Sequence, residues 1–418
     1  MPVTPAPSRR SVLRLGVAGT LGGVTLDLTS GVGLAVAAPA AAVPDGDTLV
    51  VVTLRGGADG LSIMPPIGDD AYARLRPTVA VPAPGAHRVD DTFRLHPALA
   101  PVVPLWEAGR LGAVHATGFP GAGRSHAAAT DVVGRAGGAG GWIDRAVTAL
   151  GAVDPLAAVQ VGRPDLPTAL TGPRPAFALS TLAGTANVVP DSVVGPAGWQ
   201  AALTRLGPAT APLTAALAGG ARLAPVRTAP TAAVAAGYPP TPLGRALHDV
   251  ARLVRAGVGL RVATVDDDGW DLHEDMGTAE RGPQRDRIGS LATALLAFAT
   301  ELGPDLDRVT LVTLSEFGRR AAENGSAGTD HGTGGVMLLL GGAVQGGKVH
   351  GRWPGLTAGA AGSPDDGAVP VTTDARHVLA ELLTRRCGLP PTATTTVFPA
   401  LPPPPTPALA PLADPLSP

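Results

Sequence analysis

One cysteine, Cys387, stands in a chain of 418 residues, so an internal disulfide and any Cys-based zinc cluster are excluded. Any metal must then be held by Asp, Glu and His. Lysine is as scarce: of 32 basic residues only Lys348 is a lysine, which with the excess of Ala, Gly and Pro reads as codon bias rather than a surface built for binding. Charge is sparse too, at 16% with a formal net charge of -2. No basic field is present to attract nucleic acid or an anionic membrane. Aromatic residues make up 3%, and the five tryptophans are assigned to the core. Long apolar runs are missing as well. The best candidate, Val12 to Val36, is broken by Asp27 and by glycines from Gly16 to Gly33, which suits it poorly to spanning a bilayer.

The apolar fraction of 45% supplies a large core, and the length allows two or three domains or one large α/β domain. The first 42 residues carry Arg9 and Arg10, then a moderately apolar stretch, then small residues in "AVAAPAAA". That order predicts a twin-arginine signal and an exported protein, extracellular or in the cell envelope, with no membrane span in the mature chain. Such a route carries folded proteins and suits one that takes up its cofactor first.

From 43 to 400 strand-like and helix-like segments alternate. Thr48–Leu54 is an apolar β-branched run of the kind found in buried parallel strands. Similar runs occupy Gly112–Ala116, Ala176–Ser180, Leu260–Val265, Val309–Leu314 and Gly335–Leu340. Helical patterns cover Pro97–Ala108, His126–Arg135, Pro242–Ala256, Arg285–Leu302 and Asp374–Cys387, the last stopped by Gly388. The alternation predicts an α/β domain, a mostly parallel sheet with helices on both faces. An Ala-rich helical insertion is expected over 199–236 and a Pro-rich disordered tail over 401–418.

Polar residues gather just after the expected strands, where ligand sites of such sheets lie. After the first strand comes "RGGADGLS", with Asp59 and Ser62. After the fourth comes "DDDGWDLHEDMG", in which Asp271 and His273 are two apart and in extended backbone face the same way. "SEFGRR" offers Ser315, Glu316 and Arg319, and "GTDHGTGG" offers Asp330 and His331. Adjacent side chains diverge, so this last pair suits two neighbouring ions, held about 3.5–4 Å apart in two-metal hydrolases. Carboxylates with imidazoles suit zinc or manganese, or, with fewer histidines, magnesium or calcium. "GAGRSHAAATDVVG" sets Ser125 and His126 at a helix start beside Arg124. A serine there is an N-cap or a nucleophile that meets an anion at unpaired backbone N–H groups.

The motifs "LRGGADGLS", "RLHPAL", "RSHAAATD", "GWDLH", "TLSEFGRR", "GTDHGTGGVMLLLGG" and "GGKVHGRWPGL", running from Asp47 to Pro399, resemble the DUF1501 family, whose uncharacterised members are similar to the alkaline phosphatase and sulfatase superfamily. That resemblance implies an alkaline-phosphatase-like fold and a metal-dependent hydrolase of phosphate or sulfate esters, acting on a small-molecule or glycan ester. By motif it implies Asp59, His126, Asp271, His273, Glu316, Asp330 and His331 as metal ligands, Ser125 (or Ser62) as nucleophile, and Arg124 and Arg319 on the ester oxygens. The chain sets its Asp271–His273 pair closer together than those enzymes do, and leaves His350 or His96 to supply a final ligand. The family also suggests an alternative: a non-catalytic secreted protein on the same fold that binds a secreted partner.

Overall fold

The computed structural model describes residues 47–152, 154–182, 219, 222–223, 225–226, 237–356 and 367–403. The expected signal, most of the expected insertion and nearly all of the tail lie outside the described residues. The strands are β1 (Thr48–Leu54), β2 (His87–Arg88), β3 (Arg94–Leu95), β4 (Leu111–Gly118), β5 (Ala158–Val161), β6 (Phe177–Leu179), β7 (Val262–Asp267), β8 (Val309–Leu314), β9 (Gly335–Gly341), β10 (Val349–His350) and β11 (Thr373–Asp374).

β2 and β3 form a small ribbon, and the rest form a nine-stranded sheet in the order β10-β4-β9-β8-β1-β7-β5-β6, with β11 also on β4. β1 pairs in parallel with β7 and β8, and β5 with β6 and β7. β9 runs antiparallel to both its neighbours. The mixed, mostly parallel sheet is therefore the expected one, with one reversed strand.

Alternation within β1 explains the layers. Val50, Val52 and Leu54 face one core, built with helices Pro242–Arg255 and Pro283–Leu302. Leu49 and Val51 face a second, built with helices His126–Arg135, Trp142–Ala149 and Ala375–Arg385. Successive strand residues point to opposite faces, so a strand apolar throughout must be covered twice. β5 was not foreseen: four residues with a buried Gln160 in the middle give too short an apolar run. Among the described residues no helix is long and apolar enough to cross a membrane.

The carboxyl ends of β8, β1, β7 and β5 lie side by side, and the loops that leave them carry Ser315–Arg319, Arg55–Asp59, Asp268–His273 and Gly162–Arg163. The antiparallel β9 begins at the same edge. That direction delivers "GTDHGTGG" to it.

Candidate metal centre

Close backbone contact assembles the site. Gly56 has φ +119, and a Cβ there would stand 2.4 Å from the Asp271 nitrogen, so the glycine lets the Asp271 loop settle on the end of β1. Gly328 does the same for the other loop: a Cβ would meet the His273 carbonyl carbon at 2.1 Å.

Three imidazoles converge on the Asp271 carboxylate, each held from behind by an oxygen. His126 Nδ1 lies 2.8 Å from Glu316 Oε1, His331 Nδ1 lies 2.7 Å from the Arg124 carbonyl, and His273 Nδ1 lies 3.4 Å from Asp330 Oδ1. Carboxylates and carbonyls only accept, so each Nδ1 is assigned a proton. The three Nε2 atoms meet at the front. His273 Nε2 is 2.9 Å from His331 Nε2 and 3.0 Å from Asp271 Oδ1. His331 Nε2 is 3.4 Å from Asp271 Oδ1, and His126 Nε2 is 3.3 Å from Asp271 Oδ2. His126 Nε2 is buried without a hydrogen-bond partner. Nitrogens gathered on one carboxylate call for positive charge among them, which protons, Arg319 or a bound cation can supply.

The spacing suits a cation. Bonds of about 2.0–2.2 Å to a tetrahedral ion put neighbouring donors about 3.3–3.6 Å apart; Asp271 stands 3.3 Å from His126 and 3.4 Å from His331, while the His273 contacts of 2.9 and 3.0 Å are shorter. His126, Asp271 and His331 each offer an atom within 4.8 Å of the others'. Imidazole held through Nδ1 by carboxylate or carbonyl is the usual arrangement behind a metal-binding histidine.

Arg319 seals the back of the site. It is 1% exposed, and it donates to the carbonyls of Gly57 at 2.6 Å and Thr329 at 2.7 Å, to that of Gly56, and to Asp271 Oδ1 at 2.5 Å. Its Nη1 also stands 3.3 Å from His273 Nε2. Burial would raise the Asp271 carboxyl, but the bond and charge from Arg319 outweigh it and hold the pKa low. Phe317 packs beneath, its ring tilted against both, 4.5 Å from His331 and 5.0 Å from His126.

Several expected roles change. Asp59 does not join the cluster. It is 2% exposed and bound by the buried Arg76 at 2.5 and 2.9 Å, and Ser62 donates to it at 2.5 Å. Burial works against ionisation of Asp59, but Arg76 wins and lowers its pKa; both oxygens are spent. Ser62, 2% exposed and committed to Asp59, cannot serve as nucleophile.

Glu316 stands behind His126, not beside it: Oε1 takes the Gly56 N–H and His126 Nδ1, each at 2.8 Å. Burial pushes its pKa up, and these bonds more than reverse that. Asp330 likewise stands behind His273, with its pKa lowered by the Asn324 amide at 3.0 Å. Arg319, 1% exposed and bonded inward to three backbone carbonyls and Asp271, is not presented to a substrate. His350 bonds the Gln345 carbonyl at 2.9 Å, and His96 accepts from Ala98 N–H at 2.9 Å as a helix cap; neither is shown reaching the centre.

Ser125 stays exposed, with no side-chain cap bond, at the start of a ten-residue helix. Its two neighbours, the Arg124 carbonyl and the His126 ring, both belong to the centre. Asn324, which bonds both the His273 carbonyl and Asp330, and Phe317 carry no chemistry of their own in the sequence. Only the nearness of "ENGSAGTDH" and "SEFGRR" to the ligands hints at them.

Residues 245–377 match the model of the family DUF1501, a protein of unknown function. The matched segment carries Asp271, His273, Glu316, Arg319, Asp330 and His331, and leaves His126 outside. No curated protein matches the chain. Among solved structures the chain is similar to the C-terminal periplasmic domain of EcEptC from Escherichia coli in complex with Zn, at 7% identity over 72% of this chain and 74% of that one, with a TM-score of 0.33. It is also similar to the alkaline phosphatase of the Antarctic bacterium TAB5, at 7% identity over 73% and 95%, with a TM-score of 0.29.

Proposed function

We propose that the chain is an exported, metal-dependent hydrolase of phosphate or sulfate esters, centred on one divalent ion held by His126, Asp271, His273 and His331. The observation that carries this reading is the three Nε2 atoms within 3.4 Å of one carboxylate, each with its Nδ1 held by an oxygen. With three imidazoles and one carboxylate, zinc fits the donor chemistry better than magnesium or calcium. When bound, such an ion supplies Lewis-acid stabilisation of ester oxygens.

The chain's own residues do the rest. Glu316, Asp330 and the Arg124 carbonyl fix the imidazole tautomers, so that the donors need not reorganise. Arg319 fixes Asp271 Oδ1. Ser125, exposed between two residues of the centre, is the nucleophile of this reading, and the adjacent helix start offers N–H groups to an anion. A small-molecule or glycan ester enters through the open cleft beside His126 and Asp271, about 430 Å³ in volume.

The test is turnover of aryl phosphates and aryl sulfates by purified protein loaded with zinc, manganese, magnesium or calcium. Activity with one metal, lost in Ser125→Ala, supports the reading; inertness with every metal and both ester classes ends it. Arg319 favours a second reading. Its cation already touches Asp271 and His273, so the cluster can also stand as the rigid part of a secreted protein that binds a partner.

A further inference from the structure

The cleft has a second end. Its wall includes Arg55, Thr130, Arg163, Asp266 and Asp268 as well as His126, Asp271 and Glu316. Arg55 leaves β1 and holds Asp266 through Nε at 3.0 Å and Nη2 at 3.3 Å, and it also reaches Thr130 Oγ1 at 3.3 Å. Arg163 follows β5, reaches Asp266 Oδ2, which Arg55 Nη2 also holds, at 3.5 Å and pairs with Asp268.

The two acids differ. The Asp266 side chain is 8% exposed and shared between both arginines, whereas that of Asp268 is 63% exposed. A pair so open to water is weak, so an incoming anion can replace Asp268 on Arg163 at little cost. Arg163, itself 41% exposed, then offers a planar fork to a carboxylate, sulfate or phosphate. Arg55, tied to Asp266 and Thr130, stands behind it and offsets the charge of the buried Asp266, so that Asp268 is the acid an incoming anion must displace.

We infer that Arg163, backed by Arg55, is a subsite for a second anionic group on the substrate, so the substrate is an ester that also carries a carboxylate, sulfate or further phosphate. This rests on the ester-hydrolase reading above. β5 adjoins β7, whose following loop carries Asp271, and neighbouring strands lie about 4.8 Å apart, so the second group lies on the β5 side of the ester, within the span of one aromatic ring.

The experiment compares phenyl phosphate with 4-carboxyphenyl phosphate on the zinc-loaded protein, measuring kcat/KM and, by calorimetry, affinity. The carboxylate should raise both by about tenfold, the factor set by 1.4 kcal/mol. In Arg163→Ala the ratio between the two esters should fall to about one, and in Asp268→Asn, which frees Arg163, it should rise. Equal handling of both esters by the wild type, or a ratio that Arg163→Ala leaves intact, overturns the subsite. Failure to hydrolyse either ester counts against the hydrolase reading alone, because the calorimetric ratio still reports on the arginine end.

Discussion

Asp59→Ala separates the observed role of this residue from the one its motif suggests. In the fold Asp59 and Arg76 form a fully buried, two-point ion pair, with side chains 3% and 0% exposed. Arg76 also donates to the Ala321 and Arg320 carbonyls at 2.8 and 2.9 Å, so it cannot turn to water when its partner is removed. Leaving one member of a buried pair alone costs about 3–5 kcal/mol. Asp59→Ala should therefore lose about that much stability in urea-induced unfolding followed by circular dichroism, while the folded fraction keeps its metal content. The sign with pH follows. A carboxyl whose folded pKa is depressed contributes stability above its unfolded pKa of about 3.9 and loses it as the pH falls further, so the difference between wild type and variant should shrink in acid. A loss below about 1 kcal/mol, accompanied by loss of bound metal, would refute the ion-pair account and return Asp59 to the metal.

Two further outcomes are expected. Glu316→Gln, which weakens the acceptor behind His126, should lower metal affinity about 10–100-fold, read by competition with a chromogenic chelator; unchanged affinity would remove Glu316 from the site. Asp267 is buried, which raises its pKa to about 6 despite the Trp270 indole donating at 3.0 Å. Its ionised form therefore costs stability, a loss that sets in as the pH rises from about 4 through about 6 and that reaches about 2–3 kcal/mol at most. Asp267→Asn keeps an acceptor for Trp270, so it should be more stable than wild type at pH 8 and lose that advantage toward pH 4; a less stable variant at pH 8 would contradict this.

The sheet was legible because β1, β8 and β9 are apolar from end to end and turn residues bound them. The ligand loops were legible for the same reason, since polar residues clustered after those strands. What a residue does once there depends on partners far along the chain. Asp59 looks like a strand-end ligand until Arg76 is seen folded onto it from 17 residues away. Glu316 and Asp330 carry the right chemistry for ligands, yet the imidazoles of His126 and His273 come between them and the centre. Arg319 follows β8 like a substrate-binding arginine, but the glycine turn at Gly56–Gly57 supplies carbonyls that turn it inward. Arg163 gave no signal, because β5 itself was too short to be recognised.

On the function proposed above, His126, Asp271, His273 and His331 grip a divalent ion. Elemental analysis of the purified protein, made beside His331→Ala and Asp271→Asn, decides this. The account predicts about one zinc or similar first-row ion per chain in the wild type and background levels in both variants. A wild type free of metal after incubation with each divalent ion, or variants that retain it in full, would contradict the account.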